Sequence, residues 1–123
     1  MMRASEFVSR FTSGVEYEWS YVLEETRELV EEIRRCNVDG IIDEFGDVAI
    51  AFQMCVHWRI GGDFRVVAPE RNFRKYAKRM GRWRGIFLRE GLTFSPKYLR
   101  FGGNPDRPCK RARILGEARA EQG

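Results

Sequence analysis

The chain carries one histidine, three cysteines and no apolar stretch able to cross a bilayer. Its longest apolar run, Val48 to Val56, is interrupted by Gln53 and is well short of the roughly twenty residues that a spanning helix needs. The opening MMRASEFVSR lacks the apolar core of a signal peptide, so a cytoplasmic protein with no membrane partner is expected. His57 has no second nitrogen ligand within reach, which argues against a histidine-based metal site and predicts a partly buried imidazole beside Trp58. Cys36, Cys55 and Cys109 are odd in number and lack metal-site spacing. Cys55 falls in an apolar helical run where a small buried thiol is the expectation, and a reducing compartment follows. The G-x-x-x-x-G-K-[ST] loop that cradles phosphates with backbone amides is missing, and so is any Ser/His/Asp or Cys/His grouping for covalent catalysis. Internal repeats and low-complexity segments are absent too.

What is present is ordinary globular composition, 43% hydrophobic and 33% charged, which argues against a disordered chain. At 123 residues we expect one domain with a modest core, small for a helical enzyme that must also enclose a substrate, so an oligomer is expected. The net charge of +4 conceals a division. Residues 1–69 carry 7 Lys+Arg against 13 Asp+Glu, and residues 70–123 carry 15 against 5. An acidic half suited to cations beside a basic half suited to phosphates fits a metal-dependent enzyme acting on a polyanion, while a basic half alone would also fit a nucleic-acid surface.

The periodicities are helical throughout. Ala4 to Thr12 predicts a short first helix that Ser13-Gly14 ends. From Val15 to Arg35 the positions Trp19, Val22, Leu23, Thr26, Leu29, Val30 and Ile33 form one stripe, which we read as a core face. Asn37 and Asp39 are cap-like and Gly40 permits a tight turn, after which Ile41 to Ile60 forms a second long helix. That helix is apolar on one side at Ile41, Phe45, Val48, Phe52 and Val56, and its other side carries Glu44 and Asp47, then Ala51, Met54 and Trp58. Both sides read as buried. FRVVAP is an extended connector or one edge-like strand. Glu70 to Arg89 is a basic helix with Phe73, Tyr76, Ala77, Met80, Trp83 and Phe87 inward, closed by Gly91. FSPKYLRFGGNPDRP reads as a loop, and Cys109 to Ala120 as a short basic helix. The fold class is all-α, a bundle.

Within it, Glu25 and Glu28 are three residues apart, as are Glu44 and Asp47, so each long helix points one pair of carboxylates the same way. The pairs lie at similar heights on either side of the turn, since roughly eight and six residues at about 1.5 Å each separate them from it. Four facing carboxylates repel one another unless a cation sits among them, and hard oxygen ligands suit Mg²⁺ or Mn²⁺. Glu25 borders the apolar stripe whereas Glu28 lies nearly opposite it, so a two-layer packing leaves Glu28 in water. Deleting Asp47 should then relieve repulsion and keep or raise metal-free stability, unless Asp47 makes a structural ion pair with an arginine of the basic helix, in which case its loss lowers stability. On that helix Asn72, Lys75 and Arg79 share one stripe, as a triphosphate clamp or as a solvated basic face. Trp19 and Tyr21 precede Glu25 by one to two turns and offer flat faces for a base.

The EExxE of Glu24, Glu25 and Glu28, followed by the ExxD of Glu44 and Asp47, resembles the signature of the MazG-like, all-α nucleoside triphosphate pyrophosphohydrolases. The surrounding LEETREL and DEFGDV and the later NFRKYAKR, with Asn72, Lys75 and Arg79, are similar to that family's context; beyond Arg79 the resemblance ends. It implies two long antiparallel helices carrying the acidic pairs and Mg²⁺ held by Glu25, Glu28, Glu44 and Asp47. It further implies hydrolysis of a nucleoside triphosphate to monophosphate and pyrophosphate by a homodimer or homotetramer, with Glu24 and Glu25 in catalysis and Glu24 either orienting water or staying in solvent. A phosphoribosyl-ATP pyrophosphohydrolase would share this motif. A non-catalytic nucleic-acid-binding module is the rival of another class, and the four carboxylates, which would repel a nucleic-acid backbone, argue against it.

Overall fold

The computed structural model describes residues 2–12, 16–99 and 103–123. The chain is all-α, as the periodicities predict: α1 (Ala4–Phe11), α2 (Trp19–Arg34), α3 (Val38–Ile60), α4 (Glu70–Arg89) and α5 (Pro108–Gln122), with a 3-10 turn at Pro96–Tyr98. The Ser13-Gly14 break, Val15 and residues 100–102 of the expected loop lie outside the described residues. Among the described residues, no helix is long and apolar enough to cross a membrane.

Only three residues join α2 to α3, so the two long helices run antiparallel and pack along each other. The turn is made differently from the sequence expectation. Cys36 takes the left-handed conformation, at φ 54°, and Asn37 caps α3 by accepting from the Gly40 amide at 3.4 Å. Gly40 therefore lies inside the first turn of α3, not at the bend. Its missing side chain leaves room for the Glu32 carboxylate, which accepts from the Asn37 amide at 2.9 Å.

FRVVAP is extended without being a strand. Ala4 N donates to Phe64 O and Val66 N to Met2 O, both at 2.8 Å, around one isolated Arg3–Arg65 bridge. This clip lays α1 against the bundle, where Phe7 and Phe11 each meet the Tyr76 ring at 5.9 Å. The core then runs through Ile50, Ala51 and Met54 of α3, Met80, Trp83, Ile86 and Phe87 of α4, and Ile114, Leu115 and Ala118 of α5. On α4 the expected stripe holds except at Ala77, which is exposed while Ile86 is buried. His57 is half-buried with its Nδ1 2.7 Å from Gly62 O, and Cys55 is buried, both as the sequence suggests.

The two long helices depart most from their expected burial. Most of the α2 stripe stays out of this chain's core: Val22 packs against it, but Trp19, Leu23, Val30 and Ile33 are exposed, and Glu25 is the buried residue of the helix. On α3 the side with Asp47, Ala51 and Met54 is buried, but Phe45 and Phe52 on the other side stay 62% and 50% exposed. One small chain has too few elements to cover both sides of a central helix. Trp19 and Phe52, with ring centroids 5.9 Å apart, join the two outer surfaces into one apolar face.

α3 meets α4 through Gly46, where a Cβ would overlap the Asn72 amide, whereas Gly81 on α4 has open space around it. Gly46→Ala should therefore lose about 1–3 kcal/mol through overpacking despite better helix propensity. Gly81→Ala should gain up to about 1 kcal/mol. Urea unfolding of the two variants checks the contrast, and equal shifts would show that the α3–α4 approach is looser than described.

Candidate metal centre

The helical spacing brings the carboxylates together as it predicts, and adds one. Carboxylate oxygens of Glu25, Glu28 and Glu44 lie within 4.8 Å of one another, and so do those of Asp43, Glu44 and Asp47. Glu44 belongs to both groups. Asp43 stands four residues before Asp47, one turn away on the same helix, and that spacing was the signal by which sequence reasoning could have included it.

Asp47 is not a bare anion in a repelling cluster. Its Oδ1 accepts from Asn72 Nδ2 at 2.9 Å and from the Tyr76 hydroxyl at 2.5 Å, and its Oδ2 from Lys75 Nζ at 2.6 Å. Lys75 also reaches Asp43 Oδ2 at 2.8 Å, and Asn72 reaches Asp43 O at 2.9 Å. The structure thus has Asp47 in the ion pair that formed the exception, made by Lys75 in place of an arginine, so losing Asp47 takes an acceptor from three donors of α4, two of them on buried residues. Asn72 is fully buried beneath the carboxylates, so it does not lie on an open basic face. Arg79, from the same stripe, lines a cavity of about 30 Å³ with Glu25, Glu28, Glu44 and Asp47. Tyr76 was read as core alone, and nothing in the apolar pattern marks its hydroxyl as a carboxylate partner.

Glu25 and Glu44 are in the opposite condition. Each has a buried Oε2 without a hydrogen-bond partner. Burial, then the charges of Glu28, Asp47 and Glu44, push the Glu25 carboxyl up to about 9. Burial, then the charges of Asp47 and Glu28, push Glu44 up to about 8, with a hydrogen bond to Glu28 adding to the rise and Lys75 opposing it. Such groups hold protons at neutral pH unless a cation takes their place. Hard oxygens, two unpartnered buried atoms and a cavity of ion-like size fit Mg²⁺ or Mn²⁺.

Glu28 is not left in water. It is half-buried and its Oε1 is 3.4 Å from Arg107 Nη1, because α2 turns its acidic side toward α3. Glu24 is exposed at the rim, 3.2 Å from Lys110 Nζ. Trp19 and Tyr21, two positions apart on a helix, point to opposite sides. Trp19 joins the outer apolar face, while Tyr21 packs on Tyr17 at 5.5 Å and lines a cavity of about 700 Å³ with Glu24, Lys110 and Arg113.

The sequence model of the MazG nucleotide pyrophosphohydrolase domain matches residues 15–82. That span holds α2, α3 and the part of α4 bearing Asn72, Lys75 and Arg79, and it leaves α5 outside. No curated protein and no solved structure matches significantly.

Two outcomes follow for the metal-free protein. Asp47→Ala removes an acceptor from buried Asn72 and Tyr76 and leaves the Lys75 ammonium, whose side chain is only 18% exposed, with Asp43 as its remaining ion-pair partner. It should cost about 1–3 kcal/mol in denaturant unfolding with a chelator present, and a variant as stable as the parent would show that these bonds carry nothing. The second outcome is a pH dependence. Glu25 and Glu44 keep their protons in the folded chain where the unfolded chain, near 4.5, has shed them. Their contribution is complete below about 4.5 and is lost as pH rises toward about 8 and 9. Melting temperature with a chelator should therefore fall from pH 5 to pH 8, and a steady rise across that window would contradict the assignment.

Proposed function

The chain belongs to the MazG nucleotide pyrophosphohydrolase family, and from that premise we propose that it hydrolyses nucleoside triphosphates, ordinary or modified, to the monophosphate and pyrophosphate. The observation that carries the reading is the pair of buried, unpartnered carboxylate oxygens, on Glu25 and Glu44, facing each other from two antiparallel helices. Glu25, Glu28, Glu44 and Asp47 would hold Mg²⁺, or Mn²⁺ in its place, with Asp43 beside them. Such an ion supplies Lewis acidity to phosphate oxygens and lowers the pKa of water at the reacting centre.

The chain's own residues then divide the remaining work. Asn72, Lys75 and Tyr76 fix the orientation of Asp47, so the carboxylate is placed before any ligand arrives. Arg79, in the wall of the small cavity, is suited to the charge of a transferring phosphoryl group. Of the two carboxylates expected in catalysis, Glu25 lies inside the cluster and fits the reacting centre, whereas Glu24 lies at its rim and fits substrate positioning. Tyr21 is suited to a nucleobase, since it lines the large cavity. Trp19 fits a subunit interface instead: with Leu23, Phe45 and Phe52 it forms a face that this chain does not cover, which supports a homodimer or homotetramer. Three free cysteines suit the cytoplasm. The nucleic-acid reading weakens because Lys75, Arg107 and Lys110 are already turned onto carboxylates.

A panel of nucleoside triphosphates incubated with Mg²⁺ should yield pyrophosphate as the first product, with none formed in a chelator. Orthophosphate as the first product would exclude the proposed cleavage position, and phosphoribosyl-ATP turned over in preference to every triphosphate would move the chain to that relative's activity. In the same preparation, molar mass in solution should be that of two or four chains; a monomer would remove the interface role of Trp19 and Phe52.

A further inference from the structure

The segment after α4 lies outside the matched span, yet it reaches the acidic cluster. Its approach is fixed by α4. Trp83 donates from Nε1 to Gly103 O at 2.8 Å, the Arg82 guanidinium grips Asp106 with two nitrogens, one at 2.9 Å, and Pro105 is fully buried. Arg107 is thereby held at the start of α5 by its amide, which donates to Asn104 O at 3.1 Å. Lys110 stands one turn later on the same side of the helix. These two cations meet Glu28 and Glu24, which are themselves one turn apart on α2.

Resting on the reading of the acidic cluster as a metal centre for triphosphate hydrolysis, we propose that Arg107 and Lys110 are phosphate-binding residues that exchange their carboxylate partners for the substrate's polyphosphate. Four observations converge on them. Their present ion pairs, 3.4 and 3.2 Å long with Arg107 more than half exposed, are of the weakly held kind and release readily. A guanidinium matches phosphate oxygens with two parallel hydrogen bonds, and an ammonium serves phosphate as a point charge. Both residues line the small cavity together with Glu25 and Glu44, the carboxylates that each carry an unpartnered buried oxygen. Lys110 also lines the cavity of about 700 Å³, which lies in the size range of small-ligand sites. A nucleoside in the large cavity and its phosphates at the carboxylates would therefore pass Lys110 on the way. While paired with Glu28 and Glu24, the two cations weaken the field that attracts a divalent ion. Once they turn to phosphate, that field is restored, so substrate and metal favour each other.

The test is a pair of affinities measured by calorimetry on Arg107→Gln/Lys110→Gln, after circular dichroism has confirmed its helical content. Mn²⁺ alone should bind about 3- to 10-fold more tightly than to the parent chain, because two competing cations are gone. Inorganic triphosphate, offered with saturating Mn²⁺, should bind at least about tenfold more weakly, because two charge-assisted phosphate contacts are gone. Opposite signs are the signature, since a merely structural role would shift both affinities the same way. A double variant that binds triphosphate as the parent does, or that loses affinity for Mn²⁺, overturns the proposal. Should the double variant fail to fold, Arg107→Lys keeps the charge and loses the fork, and an unchanged triphosphate affinity there overturns it equally. A parent chain that takes up Mn²⁺ and triphosphate while the variants behave like it defeats this inference alone. A parent chain that binds neither defeats the proposed function and this inference with it.

Discussion

Asp47 is the residue on which both the packing of α3 against α4 and the shape of the acidic centre depend. A buried carboxylate is tolerated only where donors replace the water it has lost, and here α4 provides three, from Asn72, Lys75 and Tyr76. Their reach is short, so α4 must come close to α3, and Gly46 is what lets it. The same side chains face other partners: the Tyr76 ring packs on Phe7 and Phe11 of α1, and Asn72 ties the Asp43 carbonyl. A change at Asp47 therefore propagates into α1 and α4 through bonds that also hold the core.

The neighbouring carboxylates are left in the reverse state, and the contrast sets the cluster apart from a structural ion-pair network. Asp47, satisfied by its donors, is fixed in position. Glu25 and Glu44, desolvated and surrounded by like charge, hold protons that a divalent ion can displace. One scaffold thus offers fixed anions on the α4 side and exchangeable ones on the α2 side, separated by a single turn of α3. An unpartnered buried carboxylate oxygen is costly, and Glu25 and Glu44 each keep one within the acidic cluster.

Much of this was legible in the residues. Helical period located the five helices of the described residues, and the i, i+3 spacing of Glu25 with Glu28 and of Glu44 with Asp47 brought the carboxylates to one place because a helix fixes direction as well as position. What sequence could not supply was which side of α2 faces inward. An apolar stripe at Trp19, Leu23, Val30 and Ile33 outweighs one carboxylate in any hydrophobic reckoning, yet Glu25 is buried and the stripe is open. Periodicity identifies a face that avoids water without saying whose surface covers it. The turn was misplaced for a related reason: Gly40 is the residue most able to bend, but the bend fell on Cys36, where the α2 carbonyls needed capping. Tyr76 shows the third limit, since an amphipathic side chain in an apolar stripe gives its ring to the core and its hydroxyl to the site.

The division of charge takes on a different meaning once the chain is folded. An acidic stretch of residues 1–69 and a basic stretch of residues 70–123 suggested two surfaces for two kinds of partner. In the structure the basic stretch folds back on the acidic one. Lys75 meets Asp47, Arg107 meets Glu28 and Lys110 meets Glu24, so the halves neutralise each other at the candidate centre. Two of these three pairs sit at the rim, where water and phosphate compete for the same cations, and one lies deep, where nothing does. The difference lies in burial: both partners are largely enclosed in Lys75–Asp47, which makes it costly to break, whereas each rim pair has one partner more than half exposed, Arg107 in one and Glu24 in the other, and is held weakly.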